Sequence, residues 1–166
     1  MRQFCRLKHW QLFLTWIISG TFFVATIESP FWVLTFAIYY FLMIGWIYSI
    51  GKVTNKLNGK FKIENYHEDL WFVLFFIFII PFGYFSHSST PINGLIKFGA
   101  ILFESIPAFK IINFSAKALG QYEQKENLKF KEYISEFFLI GFFVIGLWII
   151  QPKMNKIIEK QQSTNR

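Results

Sequence analysis

Long uncharged apolar blocks alternate along this chain with short stretches that hold nearly all of its charge. Three such blocks cover about residues 10–27, 31–50 and 70–86. Each falls in the range of about 17–25 apolar residues that spans a hydrocarbon core about 30 Å thick. The first follows a basic stretch, but its apolar region is long and no A-x-A cleavage site follows it. It is therefore read as a retained helix and not as a signal peptide. Glu28, Ser29 and Pro30 link the first two blocks so tightly that they must form an antiparallel helical hairpin. Trp32 at one end of the second block, with Trp46 and Tyr48 at the other, stand where interfacial aromatic belts are expected.

A fourth block, about 92–116, is long enough to span but contains Lys97, Glu104 and Lys110. A fifth, 133–150, is shorter and is interrupted by Gly141 and Gly146. Two prolines add breaks. Pro81 cannot donate to the carbonyl of Ile77, which predicts a kink or a helix end, and Pro107 leaves the carbonyl of Phe103 without its intrahelical donor. The pattern predicts one all-α integral membrane domain over residues 1–166. It has four transmembrane helices in two hairpins, plus a short fifth segment that is re-entrant or interfacial. Five full crossings are the alternative.

Charge sets the orientation. Of the 17 Lys and Arg residues, all but Lys97 and Lys110 fall in four places: the N-terminal stretch, the polar loop 51–69, the stretch Lys117–Glu132, and the C-terminal tail. Cytoplasmic loops carry such an excess, so the N-terminus and the loop 51–69 are expected inside. The tail creates a conflict: it lies outside if the fifth segment crosses, and inside if that segment turns back. A re-entrant or interfacial segment removes the conflict.

Composition fits this picture. Hydrophobic residues make up 54% and charged residues 16%, against roughly 25% charged in soluble domains. With 23 phenylalanines, so many rings are far easier to place in lipid than in a soluble core of this size. The net charge of +7 is accounted for by attraction of basic loops to anionic lipid, without nucleic acid. The single cysteine, Cys5, sits among Arg2, Arg6 and Lys8, excludes an internal disulfide, and is expected on the reducing cytoplasmic side. His9, His67 and His87 lie far apart with no metal-ligand spacing, so neither metal nor cofactor is expected.

The ionisable residues of the fourth segment are the candidate site. A charge at the centre of a membrane helix costs about 2.5–3.5 kcal/mol on insertion scales, so it usually faces a partner, a cavity or the bundle interior. Glu104 lies deepest. Lys97 stands seven residues earlier on nearly the same face, about 10 Å away along the axis, too far for a direct ion pair. Three readings stand for Glu104: an ion or proton site beside the Pro107 break, a packing contact with another helix or a partner protein, or a solvated position on an interfacial helix. Lys97 and Lys110 are placed to snorkel to opposite headgroup layers. Asn113 shares a face with Lys110, and Glu136 opens the fifth segment where a carboxylate suits a helix start. Gly45-x-x-x-Ser49 is a small-residue pair too common by chance to carry weight.

The C-terminal part carries a resemblance. Ala116-Lys117-x-Leu119, then Phe130-Lys131-Glu132-Tyr133-x-x-Glu136-Phe137-Phe138-Leu139-Ile140, and the ending Gly146-x-Trp148-Ile149-Ile150-Gln151-Pro152-Lys153-x-Asn155-Lys156 resemble a widespread group of small multi-pass bacterial inner-membrane proteins without established activity. Many of that group have a Trp-Phe-Phe-Pro-Ile-Gly type of run in the last apolar segment. Here Gly141-Phe142-Phe143-Val144-Ile145-Gly146 departs at the Trp and the Pro. The resemblance implies a bacterial inner membrane and supplies no catalytic or binding residues.

No phosphate-binding loop, metalloprotease helix, nucleophile elbow or carboxylate pair occurs in the chain. The expected function is therefore non-enzymatic: an accessory or assembly component that contacts another membrane protein or itself. The alternative is a small ion or proton transporter or channel that uses Glu104. A lipid-directed enzyme would require His67, Glu68 and Asp69 to converge on a headgroup.

Overall fold

The computed structural model describes the backbone of residues 4–29, 31–64, 67–87 and 94–164, and their side chains except 80–87, 94–98, 100, 101, 104 and 164. Its regular structure among the described residues is entirely helical. The helices are α1 (His9–Ala25), α2 (Trp32–Leu57), α3 (Glu68–His87), α4 (Gly94–Gln124), α5 (Ile134–Gly141) and α6 (Phe143–Thr164). Short 3-10 turns occupy Phe4–Arg6, Gly59–Phe61 and Phe130–Glu132.

Helix α2 alone passes, among the described residues, as a continuous helix long and apolar enough to cross a membrane. At 1.5 Å per residue its 26 residues reach about 39 Å. The helix outruns its apolar block: the first seven residues of the expected loop 51–69 are its last two turns, so the loop begins only after Leu57. Hydropathy marks where lipid ends, whereas the helix continues as long as its polar side chains find partners. Ser49 and Thr54 bond back to the carbonyls of Gly45 and Ile50, at 2.6 and 2.7 Å. Asn55 clasps the backbone of Ile63, accepting from its N–H at 2.7 Å and donating to its carbonyl at 3.2 Å, which closes the turn.

The buried core gathers along the second half of α2. Residues 44–51 of α2 are buried without a break, whereas both termini of its neighbour α1 leave large apolar side chains exposed. Helix α4 packs along α2, with Gly51 against Phe114 and Ser115: a Cβ there would come within 2.6–2.7 Å of their side-chain atoms. Gly45, by contrast, faces Phe4 at ordinary contact distance. The close helix approach is thus made at Gly51 and not by the Gly45/Ser49 pair.

The fifth apolar segment is two helices bent by 117° at Phe142. Helix α5 packs on α4 through Phe137 against Phe109, with ring centroids 5.2 Å apart. The tip places Phe143 against Trp16, midway along α1, at 5.3 Å. Helix α6 then descends past Phe13 and His9, both against Trp148. At Gly146 the two arms touch backbone to backbone: a Cβ would lie 2.1 Å from the carbonyl oxygen of Leu139. The expected C-terminal tail is itself helical to Thr164, because Leu147, Ile150, Met154 and Ile158 recur at helical spacing and are buried.

Candidate functional site

The buried polar groups gather where the start of α1, the second half of α2, the end of α4 and the middle of α6 converge. Gln151, fully buried on α6, is the hub. Its Oε1 accepts from Trp46 Nε1 on α2 at 2.7 Å. Its Nε2 donates to the carbonyl of Leu7 at 2.6 Å, with longer contacts to the carbonyl of Phe4 and to Asn155 Oδ1, each at 3.2 Å. One amide side chain thereby joins the N-terminal turn, α2 and α6. Gln151 supplies a donor to the Leu7 carbonyl just after the Phe4–Arg6 turn and a second donor to that of Phe4, which also accepts from Leu7 N–H at 3.4 Å.

A second set of bonds runs along the α2–α4 seam. Ser115 Oγ donates to the carbonyl of Ile47 at 2.8 Å and Asn58 Nδ2 to that of Ala118 at 3.0 Å. At the mouth of this end Lys52 Nζ contacts Asp69 at 2.5 Å and donates to Tyr48 Oη at 2.8 Å, while Tyr48 donates to the same carboxylate. Asp69 starts α3, so this cluster registers α3 against α2. The Lys52 and Asp69 side chains are 44% and 68% exposed, and such a pair contributes at most about 1 kcal/mol. Lys153 on α6 pairs with Glu123 on α4 at 3.0 Å, which holds the tail against the C-terminal end of α4.

The residues singled out in the sequence are distributed as follows. Asn113 is half-buried and accepts from Tyr133 Oη at 3.0 Å, so it fastens the entry of α5 to α4. Lys110 is exposed, with Nζ 5.6 Å from the centre of the Trp71 ring on α3. Lys110 and Asn113 therefore engage different neighbours. Helix α4 is continuous through the buried Pro107, and α3 runs through Pro81 to His87. The side chains of Lys97, Glu104 and Pro81 lie outside the described residues. Glu136 stands in the first turn of α5 beside Ser135, at 2.8 Å. Asp69 belongs to the Tyr48–Lys52 cluster, while His67 is exposed.

Sequence reasoning passed over Gln151, Ser115 and Gly51, and it set Trp46 in an interfacial aromatic belt, whereas Trp46 is fully buried and donates to Gln151. The available signal was a glutamine and a tryptophan inside or beside apolar blocks, since a buried amide requires partners. Cys5 is buried against this junction, and burial pushes its thiol up to about 12. Beside the packed α1–α2 pair, where Trp16 and Phe23 meet Tyr39, lies an open cleft of about 750 Å³ lined by Trp16, Gly20, Thr21, Ala25, Tyr39 and others.

No family model, no curated protein and no solved structure matches this chain.

Proposed function

We propose that the chain is a multi-pass protein of a bacterial inner membrane with its N-terminus in the cytoplasm, acting without catalysis through lateral contact with another membrane protein or a second copy of itself. Four spans, α1 to α4, and a re-entrant α5–α6 hairpin account for the apolar surface. Leu14, Ile18, Phe22, Leu34, Val73, Ile77, Phe103 and Phe109 are all exposed large apolar side chains on four successive helices, with Phe31 just before α2, a load that lipid accepts more readily than water does. The 117° bend and the Lys153–Glu123 pair support the inside placement of the tail. With that placement all four basic groups share one side.

The observation that carries the contact reading is the cleft beside α1. Lipid alone gives apolar helices no drive to pair, and small or hydroxyl residues supply it through close approach and hydrogen bonding. Gly20, Thr21 and Ala25 put such residues on one side of the cleft. The buried polar groups of the junction join helix to helix, which favours a rigid platform over a permeation path.

Affinity purification from native membranes in mild detergent tests this. A stoichiometric membrane partner or a self-assembled oligomer is the expected result, and recovery of the monomer alone would refute the contact reading. The alternative transporter reading is separated by Glu104→Gln: lost flux in proteoliposomes with assembly intact would replace the contact reading with transport. Lost assembly with no flux in either protein would support a packing role for Glu104.

A further inference from the structure

Below the hub, the N-terminal turn and α6 enclose a groove of about 280 Å³. One wall carries Arg6 and Lys8, and the other carries Asn155, Ile158, Glu159 and Gln162. Asn155, Glu159 and Gln162 stand four and three residues apart and share one face of α6. The walls thus present two cations, one carboxylate and two amides. Arg6, Lys8 and Glu159 are exposed, and the ion pairs among the described residues, Lys52–Asp69 and Lys153–Glu123, involve none of them. The Oδ1 of Asn155 is taken by Gln151, which leaves its Nδ2 to donate.

The groove also has a defined height. Apart from Leu7 and Ile149, Trp10 and Trp148, 46% and 50% exposed, are the exposed large apolar residues of α1 and α6 nearest the polar end, and tryptophan favours the headgroup layer. Lys8 precedes Trp10 by two residues, and Asn155 follows Trp148 by seven, about 10 Å along the helix. The groove therefore opens at the level where phospholipid headgroups lie.

We propose that this groove binds a phosphate–amine zwitterion, the headgroup of an aminophospholipid, with the phosphate on Arg6, Lys8 and the Asn155 and Gln162 amides and the ammonium on Glu159. An all-basic patch would select net anionic lipid. The carboxylate set opposite two cations matches instead a headgroup that carries both signs, and Arg6 brings the fork geometry that suits phosphate. This inference rests on the membrane placement proposed above and adds a ligand to it.

Native mass spectrometry of the full chain in mild detergent, with phosphatidylethanolamine, phosphatidylglycerol or chain-free glycerophosphoethanolamine added, reads the site. One phosphatidylethanolamine is expected to be retained about tenfold over phosphatidylglycerol, the scale of one charge-assisted contact. Glu159→Gln is expected to erase that preference while keeping the lipid, and Arg6→Gln with Lys8→Gln to weaken retention of both lipids about tenfold. Equal retention of both lipids by the parent chain, or no response to these variants, would overturn the proposal. Binding of glycerophosphoethanolamine as tightly as of the lipid would overturn it in favour of a soluble ligand. Alkaline carbonate extraction of cell membranes separates the two levels of inference. A chain that stays in the membrane yet shows no preference refutes the headgroup site alone, whereas extraction into the supernatant refutes the membrane placement itself.

Discussion

The α5–α6 elbow supplies the sharpest test of the architecture, because two glycines five residues apart should respond with opposite signs. A methyl group at Gly146 would lie 2.1 Å from the carbonyl oxygen and 3.0 Å from the carbonyl carbon of Leu139. These are backbone atoms, so no side-chain rotation relieves the overlap, and the two arms must separate by at least about 1.3 Å to reach ordinary contact at 3.4 Å. Overpacking of this kind costs about 1–3 kcal/mol, and rigid backbone on the far side favours the upper part of that range. At Gly141, also in the hairpin, an added methyl meets nothing within 4 Å. There alanine only gains helix propensity, up to about 1 kcal/mol. Cys5 provides the assay. As the one cysteine of the chain, fully buried in the junction, it reacts with a maleimide dye only as the fold opens. Thermal ramps in detergent should show Gly146→Ala melting below the parent and Gly141→Ala at or above it. On the scaling of soluble domains this size, each kcal/mol moves the midpoint by about 2–4 °C. Equal midpoints for Gly146→Ala and the parent would refute the backbone contact, and with it the folded-back hairpin.

Two further outcomes follow from the junction. Gln151→Leu strips Trp46 of its acceptor and the Leu7 carbonyl of its side-chain donor. The groups left unsatisfied cost about 1–3 kcal/mol each, so dye labelling of Cys5 in the intact protein should accelerate; an unchanged rate would count against the hub. The Cys5 thiol, raised from 9.0 to about 12 by burial, should react in the folded chain about a thousandfold more slowly at pH 8 than an ordinary thiol, following its thiolate fraction. The sign follows from linkage: the fold favours the neutral thiol, so its contribution to stability is constant below pH 9 and declines between pH 9 and 12. Labelling at pH 8 as fast as that of a free thiol would refute this burial.

The apolar blocks made α1 to α4 readable as helices, since a run of that length in lipid has few other ways to satisfy its backbone. They did not reveal where α2 stops, because Ser49, Thr54 and Asn55 extend it with bonds that hydropathy does not register. The helical tail was legible in the spacing of Leu147, Ile150, Met154 and Ile158, but the intervening lysines made it read as a loose basic end. Gly141 and Gly146 flagged a break in the fifth segment; that Gly146 serves a backbone contact depends on the path of both arms and not on local sequence. The candidate site was less legible. The partner of Asn113 is Tyr133 and that of Gln151 is Trp46, and such pairs are fixed by packing across the bundle, which one sequence does not encode in any local pattern.

The hub also fixes an order of events. Phe4 and Leu7 hand their carbonyls to a residue some 144–147 positions later, a separation that makes this contact among the slowest kind to form. A ribosome adding about 5–20 residues per second delivers Gln151 about 7–29 s after Leu7. Until then the Phe4–Arg6 turn has no amide to receive it, Cys5 stands open to thiol chemistry, and Trp46 lacks its acceptor. The nascent protein is thus distinguishable from the finished one at its first few residues, and a quality-control protease or a thiol probe acting there would read completion of the far end.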